Sequence, residues 1–251
     1  MKVHDNLTKA IFFFPYYLLH RNIFLGLLYK KFFSYFEYKN IKIFIKKAPL
    51  MTSEYSSFVF KTYEFNDRYL IEKYLNKKNK CIVIGAGPGF TSCLCYKYSR
   101  NPIKIFEIDK RWEHYIIKSI KINKVKAEVY FNNLTFSKNK IFQYFYINKF
   151  GLWNNQEKNI DSKKTKIKNI YFNRIKKIND FNTLVIDAEG YEYYIVRNLQ
   201  LMKNIKYIIF EFHNNLFDSK KKDKFFNFLK INHFKLQKKF FNSYYYEKLY
   251  P

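Results

Sequence analysis

"CIVIGAGPGFTS", Cys81 to Ser92, decides the fold. Four apolar residues run straight into three glycines spaced G-x-G-x-G, and a helix-compatible stretch follows. An unbroken apolar run of this length predicts a strand buried on both faces, as in a parallel sheet covered by helices. Glycine lets the chain turn sharply and approach a ligand closely, and the helix after it starts with free N–H groups. The order strand, glycine loop, helix therefore predicts a ligand-binding turn at the end of a central strand. Phe90 stands where the dinucleotide fingerprint has its third glycine, which argues against a pyrophosphate ligand.

Outward from this loop the pattern alternates. Thr91 to Tyr98 reads as helix, "IKIFEID" as strand, Trp112 to Ile122 as helix, and "AEVYF" as strand. After a polar interval come the strand "TLVID", a helix from Tyr191, and the strand "YIIFEFH". Such alternation predicts an α/β fold with a doubly wound, mostly parallel sheet. The interval 135–180 is too long for a plain crossover and is expected to be an insertion with small elements of its own. "HFKLQKKFFNSYYYEKLY" at the C-terminus predicts two strands, an antiparallel hairpin closing the sheet. Upstream, 40 to about 62 reads as short strands and loops, and Leu70, Ile71, Tyr74 and Leu75 lie at helical spacing.

Glu107 ends the strand after the glycine loop. An acid there accepts hydrogen bonds from both hydroxyls of a cofactor ribose. Gly85, Ala86, Gly87, Gly89 and Glu107 are therefore the candidate cofactor-binding residues. A loop of this form also serves S-adenosylmethionine, which has no pyrophosphate to cradle. In a doubly wound sheet the ligand sits beyond the carboxyl ends of the strands, where the strand order reverses. There "DAEGYE" follows "TLVI", placing Asp187 and Glu189 beside the loop, with Gly190 making the turn. "FEFH" brings Glu211 and His213 to the same rim. Asp187, Glu189, Glu211 and His213 are the candidate catalytic residues. Glu192 is expected in the first turn of a helix, where an acid suits the dipole. No metal ligand set is assigned.

Lys plus Arg number 47 against 20 Asp plus Glu, a net charge of +27. The lysines are scattered rather than gathered into a stripe, so the charge is read as compositional, without a specific nucleic-acid partner. Three cysteines, with Cys93 and Cys95 spaced C-x-C, fit neither a disulfide framework nor a zinc site. Reduced thiols and a cytoplasmic location are expected. Residues 1–39 form an aromatic-rich helical segment, with the sheet domain over 40–251. Its apolar run breaks at His20-Arg21-Asn22, short of a membrane span. Two readings stay open: helices packed on the domain, or an amphipathic segment in peripheral contact with a membrane through Arg21, Lys30 and Lys31.

"VIGAGPGFTS", "IFEID", "SIKIN", and "LVIDAEGYEYYIV" followed by "IIFEFH" resemble the FkbM family of S-adenosylmethionine-dependent methyltransferases, over roughly 63–214. The resemblance implies a Rossmann-like class I methyltransferase fold and S-adenosylmethionine as cofactor. It further implies O-methylation of a hydroxyl on a sugar, glycan or secondary metabolite. It adds two cofactor residues, Asn123 after the helix and Glu64 in "TYEFND". One departure matters: the family carries an acid two residues before the first glycine, and here that position is Val83. Around "FGLWNNQ", Trp153, Asn154 and Asn155 are read as an acceptor lid. Two other functions compete. A nucleic-acid methyltransferase would suit the charge, but "DAEGY" occupies the place of the Asn/Asp-Pro-Pro-Tyr element that serves base amino groups. A non-catalytic partner-binding or membrane-surface module would bind cofactor without turnover.

Overall fold

The computed structural model describes residues 22–148 and 162–249. The chain begins with α1 (Ile23–Phe32), the hairpin β1 (Tyr35–Tyr38) and β2 (Ile41–Phe44), then α2 (Thr52–Val59) and α3 (Phe65–Tyr74). The alternating part follows as β3 (Cys81–Ile84), α4 (Phe90–Ser99), β4 (Ile103–Phe106), α5 (Glu113–Ile122) and β5 (Ala127–Tyr130). An insertion of β6 (Asn133–Thr135), β7 (Phe142–Asn148) and β8 (Ser162–Tyr171) comes next. The chain then returns through β9 (Thr183–Ile186), α6 (Glu192–Arg197), β10 (Tyr207–Glu211), α7 (Ser219–Ile231), β11 (Phe234–Phe240) and β12 (Ser243–Lys248).

The main sheet has seven strands in the order β11-β12-β10-β9-β3-β4-β5. From β3 the chain winds outward to β4 and β5, then crosses back to β9 and β10, and all four pairings are parallel. β12 lies antiparallel between β10 and β11. This is a Rossmann-like, doubly wound, mostly parallel α/β sheet, with the antiparallel C-terminal hairpin that the sequence predicts. The strand order reverses between β3 and β9, so the ends of those two strands mark the crevice.

Alternate side chains of the central strands feed two core layers. Cys81, Val83, Ile103, Ile105 and Val185 face Leu70, Ile71, Leu94 and Ile116 of α3, α4 and α5. Ile82, Ile84, Leu184, Ile186 and Ile208 face Ile195 and Val196 of α6 and Phe225 and Leu229 of α7. Both layers are apolar, which is why these strands read as continuous runs. Lys104 is the exception inside β4, buried to 1 % exposure. Its Nζ reaches Glu128 Oε2 of β5 at 2.7 Å and lies over the Phe181 and Tyr130 rings.

Two features differ from the sequence reading. Thr52–Val59 is a helix where loops and short strands are expected. Its Ser- and Thr-rich face hides the pattern, but Tyr55 and Phe58 are buried, and Glu54 Oε2 caps the N-terminus by accepting from Met51 N at 2.7 Å. The 39/40 boundary falls within the β1–β2 hairpin, which straddles it by pairing Tyr35 with Phe44 and Tyr38 with Ile41. α1 packs on α2 closely enough that a Cβ on Gly26 would stand 1.9 Å from the Thr52 carbonyl oxygen. The other face of α1 leaves Phe24, Leu27 and Phe32 exposed. No helix among the described residues is long and apolar enough to cross a membrane. The rest of the N-terminal segment, and the lid expected at Trp153, Asn154 and Asn155, lie outside the described residues.

Candidate active site

A cleft of about 720 Å³, open to solvent, lies at the switch point. Gly85 and Gly87 of the loop line it together with the acids Glu64, Glu107, Asp187 and Glu189 and the apolar residues Ile108, Trp112, Leu134 and Phe145. The backbone explains why the loop is glycine at its first position. Gly85 has φ +80, and a Cβ there would fall 1.7 Å from the carbonyl oxygen of Asp187. Only a residue without Cβ lets the ends of β3 and β9 close on each other.

Glu107 is 5 % exposed, and backbone donors already occupy it. Its Oε2 accepts from Ala86 N at 3.0 Å and Gly87 N at 3.1 Å, and its Oε1 accepts from Asp109 N at 2.8 Å. Burial raises its pKa to about 7, although these hydrogen bonds favour the anion. The other loop donors are spent internally too: Gly85 N on Phe106 O at 2.9 Å, and Gly89 N on Ala86 O at 2.8 Å. Pro88 has no N–H. The glycine loop thus offers no N–H group to a phosphate. The acids around it instead favour a cationic ligand.

Glu64 faces the loop from the start of α3, in the left-handed region at φ 48. Thr91 Oγ1 donates to its Oε2. Burial raises its pKa to about 8, reinforced by Asp187 and opposed by the Thr91 bond. Glu189 is the second cleft acid in a left-handed conformation, at φ 49, with Gly190 at +95 completing the turn. Left-handed non-glycine residues cost energy and collect where the backbone must aim a side chain.

The carboxylates of the "DAEGYE" block surround His213. Nε2 lies 3.3 Å from Glu189 Oε2 and 3.6 Å from Asp187 Oδ1, while Nδ1 lies 3.2 Å from Glu192 Oε1. Burial works against a charge on the ring, but Glu192, Asp187 and Glu189 outweigh it and push the pKa up to about 11. Burial also raises the acids, Glu189 to about 8 and Asp187 in the same direction, against the pull of His213. The cluster therefore holds more protons than free side chains would. The first of them belongs on His213, whose two nitrogens face three carboxylates. A ring that is already an imidazolium does not accept the proton of an incoming hydroxyl.

Other candidates sort by position. Gly85, Gly87, Glu64 and Glu107 line the cleft; Ala86 and Gly89 only shape the loop, the latter as the N-cap of α4. Asn123 does not belong to the site. It caps α5 and ties it to β2, donating from Nδ2 to Lys42 O and Ser119 O at 2.8 and 2.7 Å and accepting from Lys42 N at 2.9 Å. Glu211 stands outside the cleft lining, behind Asp187, and accepts from Asn242 Nδ2 at 2.9 Å. Val83 is fully buried in the layer against α4, so no acid reaches the cofactor side from there.

Sequence reasoning underrated two acids. Glu192 is fully buried and accepts from Ala188 N at 2.9 Å and Gly190 N at 2.7 Å, so it holds the whole Asp187–Gly190 turn as well as His213. Asp67 is buried behind Asp187 and accepts from Ser243 Oγ. It lies in the first turn of a helix, where the pattern shows only a dipole partner. Tyr63 and Trp112 also line the cleft, with no signal beyond their aromatic character.

No protein-family model matches the chain, and no curated protein matches it. Solved structures do. A methyltransferase from Pyrococcus furiosus aligns over 91 % of this chain and 96 % of its own, at 12 % identity and a TM-score of 0.46. The ribosomal protein L11 methylase from Lactobacillus delbrueckii subsp. bulgaricus aligns over 73 % and 77 %, at 12 % identity and 0.43. The TYW2 protein of P. horikoshii, solved in complex with MeSAdo, aligns over 84 % and 68 %, at 12 % identity and 0.45. At this level of similarity nothing about ligand or reaction transfers to this chain.

Proposed function

We propose that the protein is an S-adenosylmethionine-dependent methyltransferase of the FkbM type, acting on a hydroxyl of a sugar, glycan or secondary metabolite. One observation carries this reading. A glycine loop whose own N–H groups are spent faces Glu64, Glu107, Asp187 and Glu189 across a single cleft. Such a cleft repels a pyrophosphate and suits a ligand that is cationic at one end and apolar at the other. The residues fit S-adenosylmethionine. Glu107 keeps one unused lone pair, on Oε1, for a ribose hydroxyl. Ile108, Trp112 and Phe145 supply an apolar surface for the purine, and Glu64 lies on the loop side for an ammonium group.

Bound there, S-adenosylmethionine would supply an electrophilic sulfonium methyl group for an acceptor oxygen, and the acceptor's proton would be left to the protein. Asp187 and Glu189 are the groups at hand for that proton. Their raised pKa makes them stronger bases than surface carboxylates once ionised. His213, as a cation, fixes both carboxylates instead of exchanging a proton with the acceptor. Glu192 and Gly190 set the turn that aims them, and orientation of the acceptor supplies much of the rate.

The test is transfer from methyl-labelled S-adenosylmethionine to a panel of monosaccharides, glycans and hydroxylated small molecules, read by mass spectrometry. An O-methyl product that requires Asp187 and Glu189 supports the reading. Transfer to RNA or DNA and to no hydroxylated small molecule or glycan would replace it with the nucleic-acid reading.

A further inference from the structure

Three side chains at the ends of β9 and β10 surround one point. His213 is held from behind: its Nδ1 lies 3.2 Å from Oε1 of Glu192, which is fully buried and fixed by the N–H groups of Ala188 and Gly190. A Nδ1–H given to a buried carboxylate turns Nε2 forward, which is how proteins present an imidazole to a metal ion. In front of Nε2, at 3.3 and 3.6 Å, are Glu189 Oε2 and Asp187 Oδ1. The side chains keep 21 % and 28 % of their area exposed, yet these two oxygens are shielded from solvent and hydrogen-bonded to no group of the protein. The contacts to Nε2 are too long and poorly aligned to satisfy them.

Buried, unsatisfied carboxylate oxygens need a partner. All three atoms lie within 4.8 Å of one another. Around an ion bound at ~2.1 Å, neighbouring ligand atoms sit ~3 Å apart, so small side-chain shifts would close this set on a cation. The second acid group, Asp67, Asp187 and Glu211, has no nitrogen donor, and Ser243 and Asn242 already occupy Asp67 and Glu211.

We propose that Asp187 Oδ1, Glu189 Oε2 and His213 Nε2 bind a divalent cation that takes the place of the Nε2 proton of the metal-free imidazolium, with Glu192 as the positioning residue behind His213. One imidazole and two carboxylates suit Mn²⁺ better than Mg²⁺, which prefers an all-oxygen shell, or the softer copper ions. On the methyl-transfer reading, on which this role rests, the cation lies beside the cleft and holds the acceptor oxygen next to Asp187 and Glu189.

The experiment titrates Mn²⁺ into chelator-stripped protein without cofactor, following loss of the free-ion electron paramagnetic resonance signal. Expected is one saturable site per chain. Glu189→Gln and His213→Asn should each weaken it by tenfold or more, and Glu192→Gln by roughly 10–100-fold, the usual cost of losing an outer-shell partner. Glu211→Gln should leave it unchanged. Glu189→Gln removes only a charge, so it carries the test if His213→Asn does not fold. Absence of a saturable site, or a site that Glu211→Gln abolishes and Glu189→Gln spares, would overturn the proposal. S-adenosylmethionine titrated in the presence of a chelator separates the two readings. Cofactor binding without a Mn²⁺ site sinks the cation proposal alone; a Mn²⁺ site without cofactor binding sinks the methyl-transfer reading alone.

Discussion

Acids close two strands of the same sheet, β4 and β9, which flank β3, and they are finished in opposite ways. Glu107, after β4, accepts three backbone N–H groups and locks the glycine loop. Asp187 and Glu189, after β9, each present a shielded oxygen with no hydrogen bond. On the proposed reading the first belongs to a scaffold that binds, and the second pair is held ready at some cost, by the left-handed backbone of Glu189 and by His213 and Glu192 behind. Polar satisfaction separates binding from reacting more sharply than residue type does, because a carboxylate already held by three backbone donors has little left to gain from a transition state.

If that contrast is right, the largest effect falls on turnover. Asp187→Asn and Glu189→Gln should lower methyl transfer by ~10²–10⁴-fold, the range for a lost general base, while cofactor affinity stays within a few-fold. Equal loss of binding and turnover would erase the distinction between the two regions.

The second effect is on stability against pH. The folded pKa values of Glu64, Glu189 and His213 all lie above their ordinary values, at about 8, 8 and 11. The folded chain therefore holds more protons than the unfolded one. For the two acids the contribution is full below about pH 4.5 and is lost as pH rises toward 8. For His213 it is full below about 6.5 and is lost toward 11. Each extra proton contributes up to ~1.4 kcal/mol per pH unit. Thermal melts should give a Tm several degrees higher at pH 6 than at pH 8, and Glu189→Gln should flatten the slope. A Tm that climbs over this range would contradict the assignment.

Much of this was legible in the sequence, and the reason is physical. β3, β4, β9 and β10 are buried on both faces, so their apolar runs and terminal acids stand out without any long-range knowledge. α2 was hidden because its Ser and Thr residues are satisfied locally, Ser56 and Ser57 by donating to Ser53 O and Glu54 O at 2.7 and 2.6 Å. The roles of Glu192, Asp67 and Asn123 depend on partners far along the chain: His213 for the first, Ser243 for the second and Lys42 for the third. No local pattern encodes such pairs. His213 as a cation was out of reach for the same reason, since its state is set by three carboxylates brought together only by the fold.

Smaller effects sharpen the scaffold side of the comparison. Glu107→Gln places an amide N–H against backbone donors, which should cost ~1–3 kcal/mol of stability and weaken cofactor binding by roughly tenfold. Cofactor binding unchanged in that variant would detach Glu107 from the ribose. Asn123→Ala, which removes the brace between α5 and β2, should lower stability by ~1 kcal/mol and leave cofactor affinity untouched. A selective loss of cofactor binding there would return Asn123 to the site.

Calorimetric titration of the intact protein with S-adenosylmethionine, and separately with a nicotinamide dinucleotide, tests the central claim most directly. A cleft whose loop donors are spent and whose walls carry four carboxylates should bind the sulfonium ligand at one saturable site and ignore the anionic dinucleotide. Saturable binding of the dinucleotide with no binding of S-adenosylmethionine would contradict it.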